Sequence, residues 1–326
     1  MRSVALALVA AVAVLAGDVS AAVPPPEVWR SLVHVKTDRG RNFDLAATFF
    51  RYGAATSRGG SAWSTSAIDP ASVAIIDEDN HRMYGATAVQ REALGLAHAR
   101  SDRLDVAVGR LSMRSLTTLD RQQHVFLHVE AGVASADLDE RVDLPVIALA
   151  QGASAYPRLA VRGTVRIGNE SYAVRGTGWI DHAVGDAADG AKDGDRFVVA
   201  FDDGRVLFLE RRRSASGVRM NASGGVFVDR SGVVHRLGAG EFLIENPLAT
   251  SWLSIRTHAR YPSIWEIFVP SAGLDLAVIP PVQDQEVVSD GQGQSFYEGA
   301  VTVERFPPPE HTDIGRGFVE LTGYVP

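Results

Sequence analysis

Asp181-His182, two residues after Trp179, is the place where this chain concentrates proton-transfer chemistry. A carboxyl in an apolar setting keeps its proton, because desolvation disfavours the charged form. Such an acid can donate that proton to a bound group, and a neighbouring aromatic face can stabilise positive charge. An imidazole beside it partners the acid or orients water. The residue types therefore suit proton transfer to or from a bound molecule. They also suit a plainer reading, in which Asp181 caps a turn and His182 is a satisfied, half-buried imidazole.

Two extended stretches must position the pair. Tyr156 to Gly163 and Val174 to His182 read as a hairpin. Along a strand, side chains alternate faces. Arg175, Thr177, Trp179, Asp181 and Ala183 share one face, and Gly176, Gly178, Ile180, His182 and Val184 share the other. Asp181 and His182 reach one pocket only if the strand ends or bulges there, and Gly178 and Gly185 offer places for a break.

The rest of the chain reads as short alternating runs between turn signals, which predicts an all-β sandwich or barrel. Ser31–Val35 and Phe43–Phe50 flank Asp38-Arg39-Gly40, and Arg196–Phe201 and Arg205–Glu210 flank Asp202-Asp203-Gly204. These matched hairpins suggest two similar barrels. Further hairpins turn at 168–170 and 229–232. Residues 88–98 are the best helix candidate. The Gly-, Asp- and Ala-rich segment 185–195 has turn composition and is placed at a domain boundary.

Several constellations offer less than they first suggest. His124 and His128 have metal-like spacing, but on a strand they stand about 13 Å apart at ~3.3 Å per residue. Asp186, Asp189, Asp193 and Asp195 lack the spacing and closing Glu of a calcium loop. Arg211-Arg212-Arg213 reads as a solvated strand end. No phosphate-cradling loop or nucleophile elbow occurs, so neither a cofactor nor a metal is expected. Trp29, Trp63, Trp179, Trp252, Trp265 and Tyr297 lie in or beside strands. They would line an apolar pocket or simply fill cores.

The 326 residues carry no cysteine and a formal charge of −7, with no basic cluster for nucleic acid. Arg2, the apolar run Val4–Ala16 and small residues near Ala22 resemble a secretory signal. The run is short for a membrane span, and Pro24-Pro25-Pro26 follows at once. The expectation is export to the periplasm or beyond, from a bacterium, with no membrane span after residues 1–22 are removed.

Taken together, the motifs resemble the carotenoid 1,2-hydratase family, which includes the AttH-like two-domain lipocalin-type proteins and kievitone hydratase. Thr48-Phe49-Phe50-Arg51, Tyr156 to His182, Trp265 to Pro270 with Asp284-Gln285-Glu286, Phe296 to Val301 and Gly315 to Tyr324 carry the resemblance. It implies two lipocalin-like β-barrels packed together, over 24–185 and 195–326, and a large apolar ligand. In the family's D-H-E-W stretch, implicated in catalysis, Asp181 and His182 hold the first two positions, while Ala183 and Val184 replace the others. The early E-W-W becomes Glu27-Val28-Trp29, and the Trp of Y-W-E becomes Tyr297. The resemblance implies Asp181 and His182 as catalytic, with Trp29, Trp179, Trp265, Tyr297 and Glu298 around the ligand. The favoured function is binding of an isoprenoid, lipid or polyketide-like molecule, as an accessory to transport with ABC-type components. The alternative is a hydratase, isomerase or cyclase with Asp181 as general acid.

Overall fold

Strands with apolar residues at alternate positions build both halves of the molecule. The computed structural model describes residues 25–324 except 53–67, 101–102, 117–123, 151, 190–193, 214–222, 248, 289–294 and 308–312. The expected signal and Trp63 lie outside the described residues.

The first half contains β1 (Glu27–Lys36), β2 (Asn42–Arg51), β3 (Ile68–Asp77), β4 (Arg82–Arg91), β5 (Ala97–Ala99) and β6 (Asp105–Val108). It continues with β7 (Leu111–Ser115), β8 (His124–Ala131), β9 (Ala134–Val142), β10 (Ile147–Ala150), β11 (Ala153–Ile167) and β12 (Glu170–Val184). They form one antiparallel sheet in the order β4-β3-β2-β1-β12-β11-β9-β8-β7-β6-β5, with β10 on β11. The sheet curls into a nearly closed barrel, so that β3 and β4 meet β6 and β8 across its interior.

The second half contains β13 (Gly194–Phe201), β14 (Val206–Arg212), β15 (Gly224–Val228), β16 (Val234–Gly238), β17 (Leu243–Glu245) and β18 (Ser251–Leu253). Then come β19 (Arg260–Pro262), β20 (Trp265–Val269), β21 (Leu274–Ile279), β22 (Glu286–Val287), β23 (Phe296–Arg305) and β24 (Asp313–Leu321). Its main sheet runs β16-β15-β14-β13-β24-β23-β21-β20-β17, a half-barrel. The expected all-β, two-barrel lipocalin-like architecture is therefore what the chain adopts.

The anticipated hairpins form. At the first, Gly40 takes φ 87° and its N–H bonds Thr37 O at 3.0 Å. That left-handed conformation strains any residue with a Cβ. Residues 88–98 are not a helix. β4 extends through Val89, which pairs with Pro70, and a turn with Leu94 and Gly95 at positive φ leads into β5. Ala93 and Ala97 are buried, but Val89, Leu94 and Leu96 face solvent, so the apolar residues do not form one stripe. Edge pairing with β3 satisfies the backbone and overrides a weak periodicity.

Each barrel has its own core, and a third core joins them. Trp29, Val33, Phe43, Leu45, Phe49, Leu127, Leu159 and Val161 fill the first. Phe197, Tyr261, Trp265, Ile267 and Tyr297 fill the second. Leu32, Ala46, Ile76 and Trp179 pack across the boundary on Val198, Phe208, Val226 and Phe318. β1 is consequently buried on both faces: its odd positions line the first barrel and its even positions meet the second sheet.

The arginine run behaves differently from the solvated strand end expected of it. Arg211 and Arg213 both pair with Asp195, which is fully buried, and Arg213 lies over the Tyr324 ring. A buried carboxylate draws the guanidinium groups inward, because it must be paired once it leaves water.

Candidate functional site

β12 meets β1 in unbroken register, from Glu27↔Val184 through Trp29↔His182 to Lys36↔Arg175. Gly176 makes the close approach possible, since a Cβ there would strike the His34 carbonyl oxygen. With no bulge against β1, parity holds to the strand's end. Asp181 and His182 therefore point to opposite faces and share no pocket. His182 turns into the first barrel, Asp181 toward the second sheet.

On the Asp181 face the structure builds a buried four-charge cluster. Asp181 pairs with Arg30 of β1 at 3.3 Å and with Arg196 of β13 at 3.1 Å. Both arginines also reach Glu320 of β24, at 2.9 and 3.2 Å. Trp179 donates its indole N–H to Asp181 Oδ2 at 2.9 Å and stacks on Phe208 at 5.7 Å. Burial pushes the Asp181 carboxyl up, but Arg196 and Arg30 outweigh it and hold the group below the usual aspartate range. Glu320 is held low by the same two arginines against the same burial. Glu298, on β23 beside this cluster, accepts from Thr48 Oγ1 at 3.0 Å. Burial and the nearby Glu320 push it up to about 8.

The His182 face belongs to one end of the first barrel. The imidazole stacks on Trp29, with ring centres 4.9 Å apart, and its Nε2 lies 3.0 Å from Glu27 Oε2. Glu27 also pairs with Arg51 at 3.2 Å. Asp69, at the start of β3, is buried and raised to about 7 by burial and by Glu92. Deeper in the barrel, Ser31 Oγ donates to Glu140 Oε1 at 2.8 Å. Burial pushes the Glu140 carboxyl up to about 8 despite that bond. The opposite end is closed by Arg41, which bonds Tyr172 and Asp77 and lies 5.1 Å from the Phe43 ring centre. The Glu27 end thus gathers His182, Glu27 and the raised carboxyl of Asp69.

The remaining candidates lie elsewhere. Trp265 is buried in the second barrel with its edge toward Phe197. Tyr297 packs there against Tyr261 and Trp252, and Gln285 donates to its hydroxyl at 3.2 Å. The seven residues nominated from sequence therefore divide among three places. Trp29 and His182 meet in the first barrel, Trp179, Asp181 and Glu298 at the junction, and Trp265 and Tyr297 in the second barrel. Arg30, Arg196, Glu320, Ser31, Asp69 and Glu140 were not nominated. Glu140 had a signal: it follows Ala134, Ala136 and Leu138 on the buried parity of β9.

One group among the described residues has the donor types of a metal site: His34, Asp44 and Glu78. His34 Nδ1 lies 2.7 Å from Asp44 Oδ1, and Arg316 pairs with Glu78. That guanidinium already supplies positive charge to the carboxylates. The histidines at 124 and 128 each take a cross-strand aspartate, Asp139 at 2.8 Å and Asp137 at 2.7 Å, on the outer face.

The sequence profile of the AttH-like family matches residues 22–324. This chain belongs to the AttH-like family. Among solved structures it is similar to one described as an AttH from Nitrosomonas europaea, with 23% identity and a TM-score of 0.77 over 92% of this chain and 93% of that one. Kievitone hydratase from Nectria haematococca follows at 14% identity and TM-score 0.69, over 91% and 89%. CghA with Sch210972 gives 13% identity and TM-score 0.56, over 92% and 89%. These likenesses establish the shared two-barrel fold. No curated protein matches.

Proposed function

We propose that this AttH-like protein is exported and binds a hydrophobic small molecule of the isoprenoid, lipid or polyketide-like class in its first barrel. The observation that carries the reading is the Trp29–His182 stack at the polar end of an apolar barrel interior. An apolar body with a few placed polar groups is the usual make-up of a small-molecule site. In this reading the protein serves as an accessory to transport, handing its ligand to ABC-type components. Polyenes should quench tryptophan fluorescence saturably at roughly micromolar concentration, and Trp29→Phe should remove most of that quenching. Equal quenching in the Trp29 variant would move the ligand out of the first barrel. No saturable quenching by any apolar probe would reject binding.

A second reading is a hydratase, isomerase or cyclase acting on an alkene of such a ligand. Two structural neighbours have relevant chemistry in or beside their names: one is a hydratase, the other was solved with the small molecule Sch210972. Protonating an alkene needs an acid that still holds its proton at neutral pH. The two arginines keep Asp181 ionised, whereas Glu140 and Asp69 in the barrel are raised toward neutrality. Under this reading, Asp181→Asn leaves turnover within about threefold and Glu140→Gln lowers it by about 10²–10⁴. The reverse pattern would return the acid role to Asp181.

A further inference from the structure

Glu140 is a carboxyl whose surroundings satisfy only half of it. It is fully buried on β9, between Val125 of β8 and Val161 of β11, on the face that carries Ala136 and Leu138. Oε1 accepts from Ser31, itself fully buried on β1. Oε2 has no hydrogen-bond partner among the described residues. We infer that Glu140 Oε2 is the anchor for an oxygen of the barrel's ligand, which makes that ligand an apolar molecule with one hydrogen-bond-accepting oxygen, such as an isoprenoid ketone or ether. The inference rests on the lipophile-binding reading above and names the ligand class for that site.

The proton's position follows from the bonding. A carboxylic acid has one O–H donor and one carbonyl-like acceptor. Ser31 donates to Oε1, so the acid's own proton belongs on Oε2, pointing at nothing in the described protein. Buried polar groups are ordinarily paired, and one left open calls for a partner. Burial keeps that proton in place to about pH 8, and Asp139, next along the strand, acts in the same direction. Asp139 itself points outward and is bonded to His124 and Arg162. Of the other charged groups at this end, Glu27 pairs with Arg51 and His182, while Asp69, whose oxygens also lack a hydrogen-bond partner among the described residues, is influenced by Glu92 and Arg51 and makes no bond to Glu140. None competes for Oε2. An acceptor oxygen would, and a hydrocarbon would gain nothing from it.

The test uses purified protein and a neutral fluorescent reporter, N-phenyl-1-naphthylamine, displaced by geranylacetone or by the hydrocarbon farnesene. At roughly pH 6.5 the ketone should displace it at about tenfold lower concentration, the effect of one added hydrogen bond in an apolar site. The preference should fade above about pH 8, as Glu140 ionises and loses its donor. Glu140→Gln keeps the shape and an N–H donor, so it should retain the preference at both pH values. Glu140→Leu should lose it at both. Equal displacement by ketone and hydrocarbon in the native protein would overturn the inference alone. So would a Gln variant with the native pH dependence. Failure of both compounds to displace a bound reporter, or of the reporter to bind, would reject the lipophile-binding reading and this inference with it.

Discussion

Asp181 and Glu140 are both carboxyls with almost no exposure, one at the junction of the barrels and one inside the first, yet they hold opposite charge states. Burial pushes both carboxyls up. The difference lies in what the neighbouring strands bring. β1 and β13 each aim an arginine at Asp181, and the paired charge is kept. β8 and β11 offer Glu140 only valines, and β1 only the Ser31 hydroxyl, so the proton is kept instead. The junction thus behaves as an ionic lock between domains, and the barrel interior as a place where a neutral acid is stored. Paired charges suit holding two sheets in one orientation. A raised carboxyl suits donating to a ligand.

The comparison breaks most sharply if an arginine is removed. Arg196→Met should leave Asp181 and Glu320 sharing a single guanidinium in a buried site. Removing one partner of a buried pair typically costs about 3–5 kcal/mol. Urea unfolding at neutral pH should show a loss of that size. A loss under about 1 kcal/mol would mean that the cluster is hydrated and holds little.

The same comparison sharpens in the other direction at Glu140. Its carboxyl is raised in the folded protein from the ordinary 4.5 to about 8, so the folded state binds the proton more tightly than the unfolded chain. Stability is then greatest below the unfolded value and declines as pH rises toward the folded one. Glu140→Gln carries no such penalty. It should leave stability nearly unchanged around pH 4 and raise it by roughly 4 kcal/mol at pH 8. Asp181, lowered in the folded state, follows the opposite rule: its contribution is present above the ordinary aspartate range and is lost as pH falls through the folded value. A pH–stability profile of the Gln variant that parallels the native one would remove Glu140 from the titrating set.

How far these sites could be read beforehand follows from the distances involved. The hairpins were legible because turn chemistry and period-two alternation are local, as at Asp38-Arg39-Gly40. Parity along β12 already separated Asp181 from His182 unless a bulge intervened, and none does against β1. The partners that decide the charge of Asp181 were not legible. Arg30 lies 151 residues from Asp181 and 290 from Glu320, and only the fold brings them together. Residues 88–98 were misread because Val89, Ala93, Leu94 and Leu96 mimic a helical stripe, while β3 offers the segment an edge to pair with. Glu140 was legible in part: a carboxyl in step with Ala136 and Leu138 belongs to a buried row, but the orphaned oxygen appears only once Ser31 is in place.

The smallest expected effect separates the arginines from the indole as the reason that Asp181 stays charged. Trp179 contributes one hydrogen bond to Asp181 Oδ2, at 2.9 Å, and the stack on Phe208. Trp179→Phe keeps an aromatic ring against Phe208 but removes the N–H. A hydrogen bond to a charged group is worth about 1.5–3 kcal/mol, and the retained ring and both arginines should limit the loss to the lower end, about 1.5 kcal/mol. Because Arg30 and Arg196 remain, the carboxylate should stay ionised and acid unfolding should shift only slightly upward in pH. Arg196→Met should shift it much further, since Arg196 is the larger of the two opposing charges acting on Asp181. Equal shifts in the two variants would assign the lowering to the indole hydrogen bond and would dissolve the contrast between an ion-paired junction and a neutral barrel interior.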